Sequence, residues 1–195
     1  MSAIKQSHQD AIRKATELFW AKGFHATSMR NIQQAMDMRP GSIYASFGGK
    51  EALFKEALNA YTANSQASLQ ASVAAAGSPL AGLKQFVIDA VIGGAENAPS
   101  GLCMLVKTIS ELTDEHADLL AEARRLLSVL EDDFAVVLQR AKEAGELSES
   151  SDCTRLARYL QMQLMGLRAY ARTNAGGDEQ LRALIDDTFA IIGKS

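Results

Sequence analysis

Cysteine, proline and aromatic residues are all scarce in this 195-residue chain, which has two Cys, three Pro, one Trp and 6% aromatics. Cys103 and Cys153 lie far apart and form no close-spaced pair, which argues against a disulfide framework or a structural zinc site. No apolar run approaches the ~20 residues needed to span a bilayer. The opening Ser2-Ala3-Ile4-Lys5-Gln6-Ser7-His8 has neither the apolar stretch nor the cleavage site of a secretion signal, so a soluble, cytoplasmic protein is expected. His8, His25 and His116 are scattered, and no His/Cys/Asp/Glu cluster has ligand spacing on one helical face. A metal sensor needs convergent ligands, so no metal and no cofactor is expected. Alternating strand patterns of useful length are also missing.

What the chain does have is apolar content, 47% of residues, set at helical spacing almost throughout. Gly and Pro punctuate that pattern and predict helices over 7–22, 27–36, 40–47, 49–75, 80–95, 101–113, 115–144, 152–174 and 178–193. The first carries Ile12, Ala15, Leu18 and Phe19 on one stripe and stops at Gly23. Thr27 is the expected N-cap of the second, its hydroxyl accepting from an early backbone N–H. Pro40 opens the third, at a first-turn position where its missing N–H costs nothing. Gly77-Ser78-Pro79 is the clearest boundary, and Asn97-Ala98-Pro99-Ser100-Gly101, Gly145 and Gly176-Gly177 separate the later helices. Asp152 and Asp178 stand where N-caps belong. The expected fold class is all-α, with an N-terminal domain over 1–50, a connecting helix to about residue 75, and a larger helical domain over 51–195.

Charge is unevenly divided. Residues 1–60 hold eight Lys or Arg against five Asp or Glu, whereas the remainder holds twelve against eighteen. A mildly basic head on an acidic body suits a local polyanion site. The informative stretch lies in that head: Gly23-Phe24-His25-Ala26-Thr27-Ser28-Met29-Arg30-Asn31-Ile32, then Ala35-Met36-Asp37-Met38-Arg39-Pro40-Gly41-Ser42-Ile43-Tyr44, ending Phe47-Gly48-Gly49-Lys50-Glu51. It reads as two short helices joined by a tight turn, with Ile32, Ala35 and Ile43 packing inward and Ser42, Tyr44, Ser46 and Lys50 left outward. A helix-turn-helix has this form: one helix braces, and the next presents small polar groups to the major groove.

Residues from about 9 to 58 resemble the DNA-binding domain of the TetR family of regulators. The shared features are Leu18-Phe19, Gly23-Phe24, Thr27-Ser28, Ile32 with Ala35, Gly41-Ser42-Ile43-Tyr44, and Phe47 with Lys50-Glu51 and Leu53. The resemblance implies an Ω-shaped all-helical homodimer that binds double-stranded operator DNA and carries a small-molecule effector pocket. By position it implies phosphate contacts from Thr27 and Ser28, backbone grip from Tyr44 and Lys50, and base-facing positions at Pro40, Gly41, Ser42 and Ser46. Two departures stand out. Ala35-Met36-Asp37-Met38 replaces the usual small-residue turn, which has a Gly after the Ala, and Ser46 stands where many members carry His. Beyond the first third the likeness rests on length and helix count.

Phe86, Met104, Phe134 and Met165 are candidates to line an apolar effector pocket, or else belong to the plain core. Cys103 falls in the first turn of a predicted helix with Lys107 one turn on, a setting that lowers a thiol pKa. It is read either as a redox or electrophile sensor or as buried filler. Tyr159, Met162, Gly166 and Ala169 on the eighth helix, with Leu181, Ile185 and Phe189 on the ninth, form apolar faces assigned to a dimer interface. An enzyme is not expected. A Cys103 nucleophile needs an adjacent base, and nothing fixes His116 there. The favoured reading is a repressor released from a palindromic operator by a small apolar effector, with a Cys103 thiol switch as the alternative and a helical cysteine enzyme as a remote one.

Overall fold

Periodic apolar residues and well-placed caps produce nine α-helices and no strand among the residues described in the computed structural model, which are 3–93, 99–173 and 177–194. They are α1 (Ala3–Lys22), α2 (Met29–Met36), α3 (Pro40–Phe47), α4 (Lys50–Ala75), α5 (Pro79–Ile88), α6 (Met104–Glu111), α7 (Ala117–Glu143), α8 (Cys153–Thr173) and α9 (Gly177–Ile192). The all-α expectation holds. The expected breaks at Asn97-Ala98 and Gly176, and the ends of the helices placed at 80–95 and 152–174, fall partly outside the described residues.

Several helix ends differ from the sequence reading. α1 begins at Ala3 rather than Ser7. α5 gives way to a π turn over Asp89–Gly93. α6 starts at Met104, because residues 99–102 form bends in which Ser100 Oγ accepts the Leu102 N–H at 3.4 Å. Cys103 therefore precedes the helix instead of lying in its first turn. Asp178 sits inside α9 rather than capping it. Asp152 does cap α8, its Oδ1 accepting the Arg155 N–H at 3.0 Å.

The chain packs as two compact units. One comprises residues 1–63 and 104–127, the other residues 64–103 and 128–195. The first therefore takes in α6 and the start of α7 as well as the basic head. Its interior is aromatic: Phe19 meets Phe54 edge-on at 4.8 Å, and Phe24 lies 5.0 Å from Phe54. Phe19 and Phe54 are each 1% exposed. Burial of such a side chain stabilises by roughly 1.5–3 kcal/mol.

The second unit is built around Leu83, Phe134, Leu138, Leu160 and Ile185. Pro79 opens α5, Ser78 caps it, and Glu146 Oε2 accepts from both Ser78 Oγ (2.6 Å) and the Leu80 N–H (3.2 Å). A Cβ on Gly82 would lie 2.5 Å from Val73 Cα, so glycine is what lets α5 cross this close to the end of α4. On α9, Leu181, Ile185 and Phe189 repeat every four residues and fill the core of their own unit. This corrects their assignment to a dimer interface, since one stripe cannot be buried inward and outward at once. On α8 and α9 the large outward apolar residues are Met162 (66% exposed), Ile191 (52%), Tyr170 and Leu184, beside exposed Gly166 and Ala169 and half-buried Tyr159. Phe86 lies 5.8 Å from Phe134, ring to ring, and Met165 is half-buried. Met104 is buried in the first unit, so the four pocket candidates do not share one unit.

Candidate nucleic-acid interface

Two short helices cannot hold themselves up in water; α2 is capped at both ends, whereas α3 opens on Pro40 without a side-chain cap and is closed by Gly48. Ser28 is the N-cap of α2: its Oγ accepts the Asn31 N–H at 3.2 Å, while Asn31 Oδ1 accepts from the Ser28 N–H at 3.0 Å. Asn31 closes this reciprocal box in place of the usual Glu or Gln. Thr27, the expected cap, is fully buried, and its hydroxyl donates to the Gly23 carbonyl at 2.6 Å. That hydroxyl is consumed inside the loop and is not presented to a phosphate. Ile32 and Met36 are the buried residues of α2, with Ala35 only partly covered.

The turn that lacked its glycine is made by Asp37, at φ 53 and ψ 46, with its N–H donating to the Gln33 carbonyl. Asp is among the few L-residues that enter this left-handed region readily, because its short polar side chain bonds locally. Arg39 follows in extended conformation, and its carbonyl accepts from the Ser42 and Ile43 N–H groups at 3.0 and 3.1 Å. With Pro40 at the first position, α3 runs one short stretch to Gly48, whose φ of 79 ends it. Ile43 and Phe47 are buried, whereas Pro40, Gly41, Ser42, Tyr44 and Ser46 are exposed together. A Cβ on Gly49 would meet the Tyr44 ring at 3.5 Å, so this ring lies against bare backbone.

Lys50, the first residue of α4, is partly buried and holds its Nζ 4.2 Å over the centroid of the Phe24 ring. Burial lowers its pKa, an effect partly offset by the nearby carboxylates of Glu111 and Glu51. Phe24 belongs to a small ring cluster in which it lies 4.8 Å from His116, and His25 lies 5.4 Å from His116.

The loop between α1 and α2 is held by a helix far away in sequence. Lys107 Nζ donates to the Trp20 and Ala21 carbonyls at 3.0 and 2.7 Å, where α1 ends. One turn further along α6, Glu111 accepts the Phe24 N–H at 3.0 Å and the His25 N–H at 2.6 Å. A cation thus meets the negative end of α1, and an anion meets the free donors of the loop. Neither role had a local sequence signal, unlike the Ser28-x-x-Asn31 box, which spacing could have revealed. The Lys107 ammonium is thus committed to α1 and not to Cys103, whose thiol is buried. Cys153 is half-buried at the start of α8. Among the described residues no group of three or more His, Cys, Asp or Glu could hold a metal ion, and no helix is long and apolar enough to cross a membrane.

Comparison with known proteins bears on this arrangement directly. Residues 11–57 match the model of the bacterial regulatory proteins of the tetR family, and residues 79–185 match the tetracyclin repressor-like C-terminal domain. The chain belongs to the TetR family. Among curated relatives, the uncharacterized HTH-type transcriptional regulator YezE of Bacillus subtilis (strain 168) is 26% identical over 182 residues, 93% of each chain. The HTH-type transcriptional repressor ComR of Escherichia coli (strain K12) is 27% identical, over 85% of this chain and 79% of its own. Among solved structures, a cysteine mutant of the TetR family regulator CifR, complexed with 26-base-pair operator DNA, superimposes with a TM-score of 0.79. It is 26% identical, over 92% of this chain and 94% of its own. This TetR-family chain is thus a transcriptional regulator whose α2 and α3 form its helix-turn-helix.

Proposed function

We propose that the chain is a homodimeric repressor that grips a palindromic operator through α3 and releases it when a small apolar molecule binds the second unit. The observation carrying this reading is the outward face of α3: Pro40, Gly41, Ser42, Tyr44 and Ser46 are exposed together, and Ile43 and Phe47 fix the opposite face in the core. Pro40, Gly41, Ser42 and Ser46 face base edges. Ser28 and Tyr44 meet phosphates, and Lys50 reaches the backbone by leaving the Phe24 ring. Thr27 contributes only by shaping the loop.

Two half-sites about 34–36 Å apart require two heads. The outward residues of α8 and α9 supply the contact. They border a groove of about 290 Å³ lined by Tyr159, Gly166, Tyr170, Leu184 and Ile191. The effector site is placed around Phe86, Phe134 and Met165. An effector shifts operator affinity only through its differential affinity for the two states, so a coupling of about 1–3 kcal/mol corresponds to roughly 5–150-fold. A Cys103 switch is the weaker reading, because the thiol is buried.

The test is binding to duplexes selected from a random library, followed against salt concentration. Lys50→Ala should weaken all duplexes alike and reduce the salt slope by about one. Ser42→Ala should change the preference among sequences. Wild-type affinity and slope in both variants would remove α3 and Lys50 from the interface.

A further inference from the structure

The outward face of α3 raises a chemical question that its own residues do not answer. Pro40, Gly41 and Ala45 offer no polar side-chain atom, and the hydroxyls of Ser42 and Ser46 both donate and accept, so they satisfy either kind of base edge. Guanine is set apart by two acceptors, O6 and N7, on its major-groove edge, and the group that matches them is a planar two-pronged donor. Such a donor stands directly before α3. Arg39 is exposed, its main chain is pinned by the two hydrogen bonds at its carbonyl, and its side chain makes no capping bond. That side chain has no hydrogen bond, ion pair or electrostatic partner among the described residues. Beside it, a Cβ on Gly41 would meet nothing within 4 Å, so nothing on that flank blocks approach to a groove.

We propose that Arg39 fixes one G·C position of the sequence this regulator selects, donating two hydrogen bonds to O6 and N7 of one guanine in each operator half-site. The proposal rests on the reading of α3 as the recognition helix, whose N-terminal end reaches the base edges. Guanidinium is always charged and holds its donors in a rigid fork, which lysine does not reproduce. A preordered backbone with an uncommitted side chain also means that nothing inside the protein must be broken for the contact to form.

The experiment is selection from a random duplex library with the full-length native chain, Arg39→Ala, Arg39→Lys and Arg30→Ala. Arg30 is the control, an exposed arginine on α2 rather than at the head of α3. The native protein should select half-sites with a G·C pair at one fixed place. Arg39→Ala should lower the preference for that pair roughly 5- to 150-fold. Arg39→Lys should lose most of the same preference while keeping the salt dependence, and Arg30→Ala should leave it in place. Loss of affinity for all sequences alike with the preference intact marks a phosphate contact and overturns the proposal, as does a preference that disappears with Arg30 instead. Failure of the native chain to select any sequence would overturn the recognition-helix reading and this proposal with it. Selection of a sequence indifferent to Arg39 overturns this proposal alone.

Discussion

Replacing Gly23 by Ala should cost about 3–4 kcal/mol in the native chain but only about 1 kcal/mol once Glu111 has been removed. Gly23 has φ +85, and a Cβ built there would lie 2.3 Å from Glu111 Oε2 and 2.9 Å from its Cδ. The left-handed backbone alone costs an L-residue about 1 kcal/mol. The carboxylate is the movable end of a flexible side chain, so it can yield to the new methyl group. Yielding means abandoning the Phe24 and His25 N–H groups, which it accepts at 3.0 and 2.6 Å. Hydrogen bonds to a charged group contribute about 1.5–3 kcal/mol each. One of these is partly open to water, so the pair is taken as about 2–3 kcal/mol together. Glu111→Ala should therefore cost about 2–3 kcal/mol, and the double variant should be no less stable than Gly23→Ala alone. Trp20, the sole tryptophan, packs 5.1 Å from Tyr61 in the first unit, so its fluorescence during urea unfolding reports the transition of that unit. Additivity of the two single costs to within about 0.5 kcal/mol would refute the clamp.

Other perturbations probe separate features. Hydrogen bonding from Arg125, with help from Asn59, holds the Glu122 carboxyl at about 2 against an ordinary 4.5. A depressed folded-state pKa contributes stability that is complete above the unfolded value and lost as pH falls from about 4.5 toward about 2. Glu122→Gln should flatten the stability–pH curve in that window, and an unchanged acid slope contradicts the assignment. Asp37→Gly should raise stability by about 0.5–1 kcal/mol by relieving the left-handed turn. Asp37→Val should lower it by more than 1 kcal/mol or so, and thermal unfolding decides between these signs. Gly166→Arg places a charge on the outward face of α8 and should run as a monomer in sedimentation with loss of duplex affinity. A variant that stays dimeric moves the interface elsewhere.

The sequence alone determined whatever is short-range. Apolar spacing at three and four residues, with Gly23, Pro40, Gly48 and Gly77-Ser78-Pro79 as punctuation, was enough for nine helices, because turn and cap chemistry is settled within a few residues. The helix-turn-helix was legible for the same reason, its whole pattern lying between Gly23 and Glu51. Tertiary structure decided what depends on partners far along the chain. Thr27 and Ser28 are equally good caps by type, and only packing shows that Thr27 is buried against Gly23 while Ser28 faces out. The apolar stripe of Leu181, Ile185 and Phe189 fits an own core and a partner equally well, since hydrophobic burial has no direction and periodicity does not name the surface that covers it. Likewise Lys107 and Glu111 form an unremarkable pair one turn apart on α6. Only the approach of a loop 86–87 residues away converts their two charges into a clamp on the base of the DNA-binding head.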